Sequence, residues 1–237
     1  MIINYGDFAI GEKLFEAKVK DLIQQISAVN VCEIGGGAFP LLPIDYVQQN
    51  CINYTILDIS TEELQKAPEG YQKIVADICD PKQLINVGKF DLIFSQFVAE
   101  HVPDGKLFHT NIYKCLTSGG LALHFFPTLF AFPFFLNWML PDFVSSMMIG
   151  RFTSREELKR DKFRAFYSWC YGPTISQISN YMSLGYSIKE YTGWFGHEYY
   201  YYKFPALLAF HRFLKRILIR YPNPLLTSFA FVILQKQ

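Results

Sequence analysis

Short apolar runs alternate with segments of helical period through the first half of the chain. Residues 11–28 open the pattern, with Leu14, Val19, Leu22, Ile23 and Ile26 recurring at the spacing of one helix face. Strands are predicted at residues 29–34, 54–58, 73–76, 90–95 and 121–126, each a short, nearly continuous apolar run. Ser60 stands three residues before Glu63 just past the second of these, a capping-box spacing that predicts a helix start there. Continuous apolar strands alternating with helices predict a parallel sheet covered on both faces.

The pattern changes after Pro127. Residues 126–150 are apolar with no clean period, and Ser154 with Glu157 repeats the capping-box spacing. Residues 173–184 predict a helix that Gly185 ends, and residues 186–195 and 227–234 predict two further strands. Between those strands, residues 205–220 form an amphipathic helix: Leu207, Phe210, Phe213, Leu214 and Ile217 share one face, and His211, Arg212, Lys215 and Arg216 the other. Residues 115–141 contain no Asp, Glu, Lys or Arg, which meets the length of a membrane span, about 20 residues. Pro127, Pro133 and Pro141 interrupt the stretch, and Gly119, Gly120 and His124 dilute its start, so it reads as a buried strand running into a hydrophobic cap.

Charge divides the chain where the pattern does. The formal net charge is +1. Residues 1–120 hold 9 basic and 15 acidic side chains, whereas residues 121–237 hold 13 and 6. Aromatic residues split 12 to 29 between the same parts. An overall balance near zero argues against a general nucleic-acid binder, and an apolar share of 51% over 237 residues argues for one domain with a full core. The five cysteines are scattered, with neither a paired motif nor metal-ligand spacing, as expected of reduced thiols. No basic region followed by an apolar run opens the sequence, so no signal peptide is expected and the expected location is the cytoplasm.

The chemistry concentrates at residues 31–40. The first strand ends in Glu33, and Gly35, Gly36 and Gly37 follow, letting the backbone turn sharply and approach a ligand closely. The crevice beyond the carboxyl ends of parallel strands is where doubly wound sheets bind nucleotides. Asp58, at the tip of the second strand, is placed to accept both ribose hydroxyls, with Ile59 beside it. Asp77 follows the third strand, placed to accept from an adenine amino group, while Ile78 is placed to pack on the ring. A dinucleotide fingerprint requires a small residue where Pro40 stands behind the bulky Phe39, and Glu33 would repel a pyrophosphate. A phosphate-free adenosyl ligand carrying an ammonium and a sulfonium suits these residues better than a dehydrogenase cofactor does.

The residues from Glu33 to Gly37, together with Asp58, Asp77, the segment from Ser95 through Gln96 to His101, and the Leu116–Gly120 turn, resemble in order and spacing the motifs of class I S-adenosylmethionine-dependent methyltransferases. The likeness runs over residues 29–127 and more loosely through the last two strands. It implies S-adenosyl-L-methionine as cofactor, with a first motif that cradles the methionine portion and Ser95 and Gln96 bordering cofactor and substrate. It also implies a Rossmann-like, doubly wound seven-stranded α/β sheet with an antiparallel last strand, here with a hydrophobic, aromatic cap insertion. The expected organisation is a single domain, 1–237. Its cofactor-binding half is 29–127, its cap or substrate insertion 128–172, and its basic amphipathic insertion between the last two strands 197–226.

The back half resembles methyltransferases of bacterial polysaccharide and lipid-linked glycan synthesis. That likeness implies O-methylation of a glycan, lipid-linked or apolar and aromatic small acceptor. A quinone or natural-product C- or O-methyltransferase and an idle cofactor-binding scaffold are the alternatives. An aromatic floor suits such acceptors, with Phe130, Trp138 and Tyr199 as candidate substrate contacts. A hydroxyl or carbon acceptor needs a general base; His101, past the fourth strand, and His197, past the sixth, are the candidates. Glu100 is a weaker candidate for a polar substrate contact, and no grouping of carboxylates with His suggests a metal. The 205–220 helix either rests its apolar face on the sheet or makes peripheral contact with an anionic membrane.

Overall fold

The computed structural model describes residues 1–131, 135, 139 and 164–237. Its strands are β1 (Ile2–Asp7), β2 (Asn30–Ile34), β3 (Asn53–Asp58), β4 (Gln72–Val75), β5 (Phe90–Gln96), β6 (Leu116–Pro127), β7 (Tyr186–Phe195) and β8 (Phe229–Lys236). The helices are α1 (Phe8–Ile26), α2 (Ile44–Gln49), α3 (Thr61–Lys66), α4 (Gly105–Cys115), α5 (Ile175–Ser183) and α6 (Pro205–Arg220). All strands join one sheet in the order β1-β7-β8-β6-β5-β2-β3-β4. Only β8 runs antiparallel, paired with β6 on one side and β7 on the other. The carboxyl ends of the other seven strands therefore share one edge.

The expected parallel sheet with an inserted antiparallel strand is present, with one strand more than the seven predicted. Residues 2–7 form β1, paired parallel to β7 at the sheet's edge. Asp7 then caps α1, its carboxylate accepting from the Ala9 N–H at 3.1 Å, and the helix starts three residues before its predicted position. The predicted apolar stripe also shifts: Val19, Leu22 and Ile23 are buried, but Leu14 is exposed and Phe15 takes its place. Phe15 packs on Phe94 of β5, Phe125 of β6 and Phe231 of β8, with ring centroids 5.4–6.2 Å apart. The adjacent residue of β6, His124, points to the other face, where it meets Phe108 and His109 of α4. Helices thus cover both faces.

The charge-free stretch is a strand where it is described. Leu116–Pro127 is β6, almost wholly buried. At its far end the Thr128 N–H donates to the Ser228 carbonyl and the Leu129 N–H to the Cys170 carbonyl, both at 2.9 Å. These bonds tie the two ends of the 128–172 segment to each other and to β8. Among the described residues no helix is long and apolar enough to cross a membrane. The second capping box, Ser154 with Glu157, and the candidate Trp138 lie outside the described residues.

Candidate active site

Backbone geometry explains the glycine triplet. Gly35 leaves β2 at φ +77°, its N–H donating to the Leu57 carbonyl of β3 at 2.8 Å. A Cβ there would lie 2.3 Å from Cγ2 of Val98, which follows β5, so backbone and side chain meet with no room to spare. A Cβ on Gly36 would sit 2.7 Å from the Glu33 carboxylate, and one on Gly37 (φ +44°) 3.2 Å from Oδ2 of Asp58. The loop therefore runs directly over two carboxylates. Only glycine satisfies both the left-handed torsions and the clearances.

Glu33 is buried, and its carboxylate accepts from the Leu41 N–H at 3.1 Å and the Tyr54 hydroxyl at 2.5 Å. Burial pushes its pKa up to about 7; the Tyr54 and Leu41 hydrogen bonds pull it down, and the charge of Asp58 adds to the rise. This side chain closes the loop as well as facing it, a part that sequence reading did not assign. Asp58 is half-buried at the end of β3. Its Oδ1 accepts from the Ser60 N–H at 2.9 Å, and burial raises its pKa despite donors from Ser60, Gly37 and Ile59. Ser60 caps α3 by accepting from the Glu63 N–H at 3.2 Å. The reciprocal half of the predicted box is absent: the Glu63 carboxylate pairs with Lys66, and Glu62 takes the Ser60 hydroxyl.

Asp77, past β4, accepts from the Cys79 N–H at 2.7 Å, which fixes the turn at that strand end. Ile78, expected on an adenine face, is instead packed in the core, whereas Ile59 is 60% exposed at the tip of β3. Ser95 is fully buried with its hydroxyl 2.8 Å from His124 Nδ1, and Gln96 reaches the partly exposed strand end. Phe97 follows at φ +56°, a strained torsion for an aromatic residue, held by its N–H bond to the Phe125 carbonyl at 2.8 Å. That kink delivers Val98 to the glycine loop.

The two candidate bases part company. His101 lies past the Phe97 kink with about a third of its side chain exposed. Its Nδ1 is 3.1 Å from the Arg164 carbonyl oxygen, which can only accept, so Nδ1 carries a proton, and Nε2 lies 3.8 Å from Oε1 of Glu100. Glu100 beside it is buried, with no hydrogen-bond partner for Oε2 among the described residues, and burial drives its pKa up to about 8. Its backbone carbonyl accepts from the Phe166 and Tyr167 N–H groups, linking this edge to the 164–172 segment. His197 lies past β7, four strand positions along the edge from β2, roughly 19 Å away. It is buried, with Nδ1 2.7 Å from the Ser228 hydroxyl and Nε2 3.0 Å from the Tyr201 hydroxyl, and burial lowers its pKa to about 3. The ring is a neutral cross-link between β8 and the Glu198–Tyr201 turn. Phe130 is partly exposed past β6, stacked on Tyr171 with centroids 5.7 Å apart, and Tyr199 is exposed near α6.

Glu33, the glycines, Asp58, Ser95, Gln96 and His101 thus converge at the ends of neighbouring strands β2, β3 and β5, with Asp77 one strand farther out. Residues 33–124 match the family model of a methyltransferase domain. The matched stretch runs from the end of β2 into β6. The fold agrees over nearly its whole length. N-methyltransferase NodS from Bradyrhizobium japonicum, solved with S-adenosylhomocysteine, is 13% identical, with 95% of this chain and 87% of that one covered and a TM-score of 0.53. An S-adenosylmethionine-dependent methyltransferase from Clostridium acetobutylicum is 12% identical (94% and 91% covered, TM-score 0.55), and one from Archaeoglobus fulgidus is 14% identical (94% and 94%, TM-score 0.54). At such identities the likeness is one of fold. No curated protein matches the chain. The domain match and the sheet agree with a methyltransferase as the enzyme class.

Proposed function

We propose that this methyltransferase alkylates a hydroxyl oxygen of a glycan, lipid-linked or similarly apolar and aromatic small acceptor. The observation that carries oxygen transfer is His101: a partly exposed imidazole at the strand edge that bears the glycine loop, with Nδ1 held by the Arg164 carbonyl. When bound, the cofactor supplies an electrophilic methyl group on a sulfonium. In this reading Asp58 accepts from the ribose hydroxyls, Asp77 from the adenine amino group, and Glu33 faces the ammonium of the methionine portion. The partly buried Phe97 and Val98 line this edge, and His101 would take the acceptor's hydroxyl proton as the methyl group leaves the sulfonium sulfur, as a neutral thioether, for the oxygen.

Residues 29–127 then serve as the cofactor half and 128–172 as the acceptor cap, with the Phe130–Tyr171 stack as part of an aromatic floor. Residues 197–226 are the basic insertion, through which a cytoplasmic enzyme meets a membrane. Radiolabelled methyl transfer to lipid-linked glycans, quinones and phenols tests this reading. Label on a glycan or lipid-linked hydroxyl that is lost in His101→Ala, by roughly 10²-fold or more in kcat, is the expected result. Label confined to carbon or nitrogen overturns the oxygen assignment. Cofactor binding without any transfer favours the scaffold alternative.

A further inference from the structure

Helix α6 is mounted with its apolar face outward. Its attachment runs through the polar side: His211 is buried and its Nε2 accepts from the His197 N–H at 3.2 Å. Lys215 Nζ lies 2.7 Å from Asp7 and 2.6 Å from Glu198, and Arg212 Nε lies 2.7 Å from Glu198. Leu208 and Leu218, one helical turn to either side of that stripe, are half-buried with it. These contacts fix the rotation of the helix about its axis. They also overturn the expectation that the 205–220 helix rests its apolar face on the sheet.

The stripe of Leu207, Phe210, Phe213, Leu214 and Ile217 is left in solvent, with Phe210 and Phe213 each 60% exposed. A surface helix ordinarily buries such a stripe, and a contiguous exposed apolar patch marks an interaction site. Two further features surround it. At 3.6 residues per turn, Arg216 and Arg220 fall on the flank of the stripe beside Phe213, and neither makes an ion pair among the described residues. Tyr199, Tyr202 and Tyr221, all more than half exposed, stand at the two ends of the helix. Amphipathic tyrosine rings and arginine heads at the margin of an apolar face match the layered chemistry of a lipid–water boundary.

We propose that α6 is an interfacial helix that lays its Leu207–Ile217 stripe into the surface of an anionic bilayer, with Arg216 and Arg220 at the level of the lipid phosphates. Because α6 is anchored to Asp7 at the end of β1 and to the turn after β7, it sits on the same edge of the sheet as the glycine loop. Docking through it holds that edge at the headgroup layer, where a lipid-linked acceptor presents its polar end. The inference rests on the proposed acceptor class, and its test does not involve turnover.

The full chain is sedimented with vesicles of phosphatidylcholine alone and with one-third phosphatidylglycerol, and its S-adenosylhomocysteine affinity is measured by calorimetry. The expected result is binding to the anionic vesicles only. It should weaken about tenfold or more in Phe210→Glu/Phe213→Glu and about 20- to 30-fold in Arg216→Ala/Arg220→Ala, with cofactor affinity unchanged in both. Equal binding of wild type and both variants, or no vesicle binding at all, overturns the proposal. So does a wild-type dimer in sedimentation equilibrium that Phe210→Glu/Phe213→Glu dissociates, since the stripe is then covered by a second copy. Vesicle binding in a chain that takes no S-adenosylhomocysteine would uphold the membrane surface while removing the proposed reaction.

Discussion

A carboxyl group with a pKa near 7 beside a site for a cation makes ligand affinity depend on pH. Glu33 is held there by burial, against the pull of its Tyr54 and Leu41 hydrogen bonds. If only ionised Glu33 receives the ammonium of the cofactor, affinity should fall about 25-fold between about pH 7.5 and about pH 5.5. The same linkage works in the opposite direction on the free protein. The folded pKa lies above the ordinary value of 4.5, so this contribution to stability is full below about pH 4.5 and is lost as pH rises through about 7. That loss is on the order of 3 kcal/mol.

Calorimetric titration with S-adenosylhomocysteine, which keeps its ammonium across this range, gives the first profile, and urea denaturation without ligand gives the second. Glu33→Gln should flatten the first and remove about 3 kcal/mol of the decline in the second. Tyr54→Phe keeps the carboxyl but removes a donor to its charged form, so the midpoint of the affinity profile should move to higher pH. An affinity that is flat with pH in the wild type, or a midpoint that Tyr54→Phe leaves in place, would refute the coupling of Glu33 to the ligand.

Asp58→Ala should weaken S-adenosylhomocysteine binding by at least about 100-fold in calorimetry, the loss of two charge-assisted hydrogen bonds; unchanged affinity removes the ribose role. Gly35→Ala should cost about 1–2 kcal/mol of torsional strain plus the Val98 clash, read as a lower melting temperature, and adding Val98→Ala should recover part of that loss. Glu100 also has a raised pKa and should contribute roughly 3 kcal/mol to the fall in stability between about pH 6 and about pH 9; in urea titrations at those two pH values Glu100→Gln should lose that share and keep only the smaller fall due to Glu33. His197→Ala should cost about 2–4 kcal/mol of stability by removing the ring's hydrogen bonds to the Ser228 and Tyr201 hydroxyls while leaving kcat of the folded fraction near wild type, the reverse of His101→Ala.

The sheet was legible because seven of its strands carry their own apolar runs, and the carboxylates at strand ends followed from where those runs stop. β1 was not legible. Ile2–Asp7 mixes Ile2 and Ile3 with Asn4, Gly6 and Asp7, is mostly exposed, and becomes a strand only through pairing with β7, more than 180 residues away. The amphipathic pattern of α6 could be read, but not its rotation, because the ion pair that sets it joins Lys215 to Asp7. For the same reason the sequence offers Glu33 as a candidate ligand-facing carboxylate but not its bond to Tyr54, which gives no local sign that its hydroxyl reaches back to β2. Periodicity reports which side chains share a face, and only tertiary contacts decide what that face meets.

The central position of β8 has a consequence for the order in which the molecule can assemble. β1 and β7 are joined to the rest of the sheet through β8 alone. A ribosome delivering this chain makes residues 30–127 early, so the β6-β5-β2-β3-β4 half can pair while β8 is still unsynthesised. During that interval β6 presents an apolar, unpaired edge, a template for wrong partners. The last-made strand is thus the keystone, and the glycine loop can be shaped before the half that closes the sheet exists.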